Sequence, residues 1–187
     1  MNKKMTQDLF ELSNKTIILT GSAGRLGANF AEILADAGAN LVLLDINKKE
    51  NKKLEKNITK KFKIKCISSN TNITIKNELV ELSKVIIKKF GTIDGVVNNA
   101  FYNPRTNIEQ SAMKFEDYSL DLWNDVVSVN LTGVFLCSQI FGKIMAKQKV
   151  GGSIVNISSI YGINGADQRI YADQRIYDGG EFNLLSP

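Results

Sequence analysis

The stretch that decides the fold is residues 15–30, "KTIILTGSAGRLGANF". It opens with a short apolar, β-branched run of the kind that forms a buried strand. Gly21, Gly24 and Gly27 follow directly in a GxxGxxG pattern. Then the periodicity changes: "GANFAEILADAG" (27–38) reads as a helix that Gly38 can close. Three glycines by themselves are a weak signal. Between a strand and a helix they have a physical purpose, because a chain without Cβ atoms turns sharply, packs helix close to strand, and lets a pyrophosphate approach the backbone. The free N–H groups and positive dipole end of the helix would face that anion.

The same alternation continues outward. "NLVLLDIN" (40–47) reads as a second strand and "KKENKKLEKNITKK" (48–61) as a helix with Leu54, Ile58 and Phe62 at helical spacing. "KIKCISS" (63–69) is a third strand, and "TIKNELVELSKVIIKKF" (74–90) a helix stopped by Gly91. "IDGVVNNA" (93–100) and "GSIVNISSI" (152–160) are the fourth and fifth strands, with a long helix over 120–148 between them. Five β runs separated by helices predict right-handed βαβ units and a parallel sheet covered on both faces, an α/β fold of the doubly wound, Rossmann-like, three-layer kind. No linker interrupts the chain, so one domain over 1–187 is expected, with its core over 15–162.

Composition removes several classes of function. With 187 residues, 43% hydrophobic and 23% charged, the chain is an ordinary globular one. Its net charge of +5 comes from many lysines rather than from one dense basic stripe. The richest run, 48–61, reads as the solvated face of an amphipathic helix with no aromatics between its lysines, which argues against a nucleic-acid or membrane patch. Cys66 and Cys137 are isolated and there is no histidine, so neither a metal site nor a disulfide framework is expected. The N-terminus lacks the apolar core of a signal peptide, and no stretch reads as a membrane span. A reducing cytoplasm is the default expectation.

Asp45, at the end of "LVLLDIN", stands where a carboxylate accepts hydrogen bonds from adenosine ribose hydroxyls and repels a 2′-phosphate, which favours NAD. It would also serve as a helix N-cap or turn residue. Arg25 has two readings: a guanidinium near the ribose that pairs with a 2′-phosphate and pulls toward NADP, or a side chain that reaches solvent.

"TGSAGRLG", "DGVVNNA", "SVNLTGVFLCSQ" and "GSIVNISSIYG" resemble, in order and spacing, the short-chain dehydrogenases/reductases, over about Lys15 to Gly162. The loop "FYNPRTNIEQSAMKFEDYS", the long helix and "ADQRIY" after the serine strand are similar to a subgroup associated with flagellin modification and surface polysaccharides. The resemblance implies hydride transfer between a nicotinamide cofactor and a hydroxyl or carbonyl of a sugar-like small molecule, a sugar or a nucleotide sugar. It also implies a homo-oligomeric full-length protein. By the same resemblance Thr20, Gly21, Gly24, Leu26 and Gly27 form the pyrophosphate turn, while Asp45 and Ile46 hold the ribose and flank the adenine. Ser69 or Asn70 takes the place of the aspartate that touches adenine. Asn98, Asn99 and Ala100 steady the sheet and line the cofactor, with Phe101 in place of the motif's glycine. Asn130 would hold a water for proton relay, and Ser159 would hydrogen-bond the substrate oxygen. The plainer alternatives are a helix bend at Asn130 and ordinary polar strand-end residues at Ser158 and Ser159. Arg25 stands where the commoner family pattern has its middle glycine.

The family's proton donor is a tyrosine with a lysine four residues on, on one helical face, where the ammonium lowers the phenol pKa. No Tyr-x-x-x-Lys occurs in this sequence. Tyr171 and Arg175 come nearest, but they belong to a tandem duplication of ADQRIY (166–171 and 172–177), and guanidinium substitutes poorly for ammonium. The expectation is a chain cut before its dyad, lacking the C-terminal strands and helices, with an exposed edge at the fifth strand, poor solubility and no turnover. Two other readings stand beside it. One is a non-catalytic dinucleotide-binding protein; the other is epimerase or dehydratase chemistry, suggested by the GxxGxxG spacing.

Overall fold

The structure, a computed structural model, describes residues 10–103 and 118–163, without the side chain of Tyr161. The ADQRIY pair, Tyr171, Arg175 and Tyr177 lie outside the described residues, as does most of the 101–119 loop. The described residues divide into two compact units, one drawn from Met1–Phe101 and Ser128–Ile157, the other from Tyr102–Val127 and Ser158–Pro187.

The first unit holds a sheet of β1 (Thr16–Thr20), β2 (Asn40–Leu44), β3 (Cys66–Ser69), β4 (Gly95–Asn98) and β5 (Ser153–Asn156). The spatial order is β3-β2-β1-β4-β5 and every pairing is parallel, as the alternation of strands and helices predicts. Side chains alternate between two cores. Ile17, Leu19, Leu41 and Leu43 face α1 (Arg25–Asp36) and α2 (Lys48–Lys61), where Ala31, Ala35 and Ile58 are buried against them. Ile18, Val42, Leu44 and Val96 face α3 (Lys76–Phe90) and α5 (Val134–Met145), meeting Leu79, Leu82, Ile86, Cys137, Ile140 and Phe141.

The strands are shorter than the sequence suggests, because each ends where its neighbour does. β2 begins at Asn40, whose side chain accepts the Lys65 N–H, so β3 starts pairing only at Cys66. β4 and β5 stop together at Asn98 and Asn156. Helix stops match expectation at Gly91, left-handed at φ 81°, and at Gly38, φ 90°.

The helical run Leu120–Met145 comprises α4 (Leu120–Val127), a π-helical turn (Ser128–Gly133) and α5. It is long and apolar enough to cross a membrane by length and composition, contrary to expectation. Its second half instead lies against the sheet through Leu136, Cys137, Ile140, Phe141 and Met145, a position that a membrane-crossing helix could not hold at the same time. Among the described residues β5 is an edge strand, and all four of its residues are exposed, as are Leu131 and Phe135 on the helical run.

Candidate functional site

Strand order reverses at β1: the chain steps from β1 to β2 to β3 in one direction, then resumes on the other side with β4 and β5. In an open parallel sheet such a reversal leaves a crevice at the C-terminal ends of the two strands that flank it. Those ends are Thr20–Gly21 and Asn98–Ala100.

The two ends are fastened to each other. Thr20 Oγ1 accepts the backbone N–H of Asn99 at 3.0 Å and of Ala100 at 2.9 Å. Asn99 Nδ2 donates in return to the carbonyls of Thr20 at 3.0 Å and Gly21 at 3.1 Å. Gly21 has φ +64°, and a Cβ there would lie 2.7 Å from Ala100 Cα. A Cβ on Gly27 would lie 2.1 Å from the Gly21 carbonyl oxygen. Gly24 differs: it is exposed, and a Cβ there would meet only the Gly21 oxygen, at 3.3 Å. The turn is therefore closed on its inner side and open where an anion would approach. Gly24 stands at the N-cap of α1 with no side chain capping the helix, so the helix presents its N–H groups outward.

Asp45 sits beside this turn. Its Oδ2 accepts the Ala23 N–H at 2.9 Å and its Oδ1 the Asn47 N–H at 2.8 Å. The helix cap is Asn47, which accepts from Glu50 N–H, so Asp45 acts locally as a turn residue and not as the cap. A carboxylate has about four acceptor positions, which leaves two for hydroxyls of a ribose. Arg25, Leu26, Ile46 and Asn70 are exposed. Ser69 turns its hydroxyl to Thr71 at 2.7 Å.

Asn98 is placed differently from its neighbours. It is buried, and its amide donates to Asn156 Oδ1 at 2.8 Å and Ser138 Oγ at 3.2 Å, tying β4 to β5 and α5. Asn130 falls within the π turn, a geometry in which one inserted residue realigns a helix face. Gly133 ends that turn against Ile73, where a Cβ would come within 2.7 Å. Ser159 follows β5 in the second unit, exposed, with its carbonyl accepting Gly162 N–H at 3.0 Å. Tyr118 has its hydroxyl pKa pushed up by burial and by Tyr102, the direction opposite to that of a proton-transfer tyrosine.

Two residues escape a motif reading. Ser22 and Asn51 are both buried, and Ser22 Oγ donates to Asn51 Oδ1 at 2.8 Å. The signal was present: Asn51 falls on the same helical stripe as Leu54 and Ile58, where a polar side chain has to find partners inside.

A doubly wound sheet with a glycine turn at its switch point and an acid at the next strand end defines a dinucleotide-binding α/β protein. Residues 15–172 match the model of the short chain dehydrogenase family, and the chain belongs to that family. It is 34% identical over 160 residues to 5-keto-D-gluconate 5-reductase of Escherichia coli (strain K12), covering 86% of this chain and 59% of that protein. It is 30% identical over 163 residues to trans-4-hydroxycyclohexanecarboxylate dehydrogenase of Sinomonas cyclohexanicum, covering 84% and 60%. Among solved structures it is similar to an NAD+-bound xylitol dehydrogenase, with TM-score 0.74 and 29% identity over 83% of this chain and 56% of that one. The chain thus spans a little over half the length of these relatives.

Proposed function

We propose that this chain is the dinucleotide-binding part of an oxidoreductase that uses NAD in preference to NADP and acts on a hydroxyl or carbonyl of a sugar-like small molecule. The observation that carries this reading is the open glycine turn tied to Asp45 through the Ala23 N–H. The backbone of Gly21–Gly27 and the start of α1 hold the pyrophosphate. Asp45 takes the ribose hydroxyls with its two remaining acceptor positions and repels a 2′-phosphate. Exposed Arg25 is a group that would favour NADP. Ile46 flanks the adenine, and the side chain of Asn70 or Ser69 meets its amino group. Thr20, Asn99 and Ala100 shape the floor of the crevice, and Asn98 keeps β4 in register with β5. NAD, when bound, supplies the hydride acceptor. Asn130 positions a water, and Ser159 hydrogen-bonds the substrate oxygen.

The names of the relatives support a polyol or keto-sugar substrate. Two free buried thiols suit a reducing compartment such as the cytoplasm. A homo-oligomeric full-length protein belongs to the same proposal. No Tyr-x-x-x-Lys occurs in this sequence, so none of its residues is assigned the proton-transfer role.

The test is a fluorescence titration of the chain with NADH and NADPH. Saturable NADH binding, weaker for NADPH and reduced about tenfold in Asp45→Ala, is expected. An absence of saturable NADH binding, or an Asp45→Ala variant that binds as tightly as wild type, would overturn the assignment.

A further inference from the structure

The Asn51 side chain is joined to three separate pieces of the first unit. Its Nδ2 donates to the Leu43 carbonyl on β2 and to the Ser69 carbonyl on β3, both at 3.0 Å, and its Oδ1 accepts the Ser22 hydroxyl at 2.8 Å. Asn51 is 1% exposed and Ser22 0%. Both amide ends are therefore used, in a place where an unpaired group would be costly. Around this amide the turn meets the end of β2 at two further points. Ser22 N–H donates to the Leu44 carbonyl at 3.2 Å, and Ala23 N–H to Asp45 Oδ2 at 2.9 Å. The Ser69 carbonyl that Asn51 holds also accepts the Asp45 N–H, at 3.2 Å.

We infer that Asn51 is a positioning residue for the adenosine diphosphate half of the cofactor, fixing the glycine turn and the Asp45 carboxylate at one mutual spacing. This rests on the dinucleotide-binding reading above. The argument is geometric. A pyrophosphate and an adenosine ribose are held at a fixed covalent separation, so the two groups that receive them must keep theirs. The bonds from the turn to the Leu44 carbonyl and to the Asp45 carboxylate each constrain one atom pair. The amide adds a rigid planar bridge from α2 that restrains Ser22, β2 and β3 together. A helix residue that touches no part of the cofactor thereby sets how well the cofactor fits.

The experiment compares wild type with Asn51→Leu, Ser22→Ala, the double variant, and Ile58→Val, a buried change on the same helix away from the turn. Each is titrated with NADH and with ADP-ribose, and its urea unfolding and hydrogen exchange without cofactor are measured. Asn51→Leu is expected to weaken both ligands about tenfold, with Ser22→Ala adding little in the Asn51→Leu background because the two act through one bond. Exchange of the Ser22–Gly24 amides speeds up while that of α5 amides does not. Ile58→Val lowers stability but leaves both affinities unchanged. Ser22→Ala leaves the bonds from Asn51 to the strands intact, so it reports on the coupling even if Asn51→Leu fails to fold. Affinities for NADH and ADP-ribose that stay within about twofold of wild type in Ser22→Ala, and in any folded Asn51→Leu, would sink the inference while the cofactor reading stands. A wild-type chain that binds neither ligand removes the cofactor reading itself, and the inference with it.

Discussion

Thr20 and Asn99 hold each other at the C-terminal ends of β1 and β4: the threonine hydroxyl receives the Asn99 backbone N–H, and the asparagine amide donates to the Thr20 carbonyl, each at 3.0 Å. The exchange joins the two strands that flank the switch point. Thr20→Val keeps the volume and the β-branch but removes the acceptor for two N–H groups, those of Asn99 and Ala100. The expected loss is on the order of 2 kcal/mol or more in urea unfolding. Thr20→Ser keeps the oxygen and is expected to lose less than half as much. Equal losses in the two variants would show that the methyl group, not the hydroxyl, stabilises the junction.

The three turn glycines are not equivalent. At Gly27 a Cβ would fall 2.1 Å from a backbone oxygen, and at Gly21 2.7 Å from a backbone carbon, with φ positive as well. Neither obstacle is a side-chain tip that can swing away. At Gly24 the nearest atom is 3.3 Å from the Cβ position, and φ is −72°. Gly27→Ala is expected to cost about 3 kcal/mol and Gly24→Ala under about 1 kcal/mol. Gly24→Ala should nevertheless weaken NADH binding, because its added methyl occupies the open side of the turn. Thermal melts with and without NADH separate the two effects.

The fold was legible because its signal is coarse. Alternating buried-strand and helix periods, with glycines at 21, 24 and 27, define a parallel sheet whatever the details. The ends of strands were not legible, because they depend on the partner: nothing local to "KIKCISS" says that pairing waits for Cys66 until β2 begins at Asn40. Asp45 was found for its place at a strand end, but which residue caps the next helix was decided by geometry, in favour of Asn47. The π turn at Ser128–Gly133 has no propensity signature, although Asn130 followed by Leu-Thr-Gly did suggest a bend. Asn51 was hidden among lysines, where polarity looks like solvent exposure. Only its phase against Leu54 and Ile58 marks it as interior.

Both cysteines should be inert in the folded chain. Burial pushes the thiols of Cys66 and Cys137 up to about 12, and a negative charge on Glu55 adds to the effect at Cys66. The thiolate is the reactive form, so at about pH 8 almost none is present. Iodoacetamide is expected to modify neither residue in native protein and both in about 8 M urea. Rapid native labelling of Cys66, at the start of β3, would mean that this strand opens readily.

Glu55 gives the fold an acid-sensitive contact. It lies on α2 with Lys52 Nζ at 2.7 Å, accepts the Ser68 N–H at 3.2 Å, and also receives the Ser68 hydroxyl. Burial by itself would raise its pKa, but the hydrogen bonds from Lys52 and Ser68 and the lysine charge outweigh it, leaving the carboxyl below its ordinary 4.5. A folded-state pKa below the unfolded one means that the unfolded chain binds the proton more readily. The contact therefore contributes fully above the unfolded value of 4.5 and is lost as the pH falls through the lower folded value. Glu55→Gln removes the charge at every pH. In urea unfolding the gap between wild type and Glu55→Gln should be widest near neutrality and shrink as the pH falls below about 4.5, where the unfolded carboxyl takes up its proton first and the folded one only at lower pH. A gap that stays constant down to about pH 3 would show that the Ser68 contact depends on shape and not on charge.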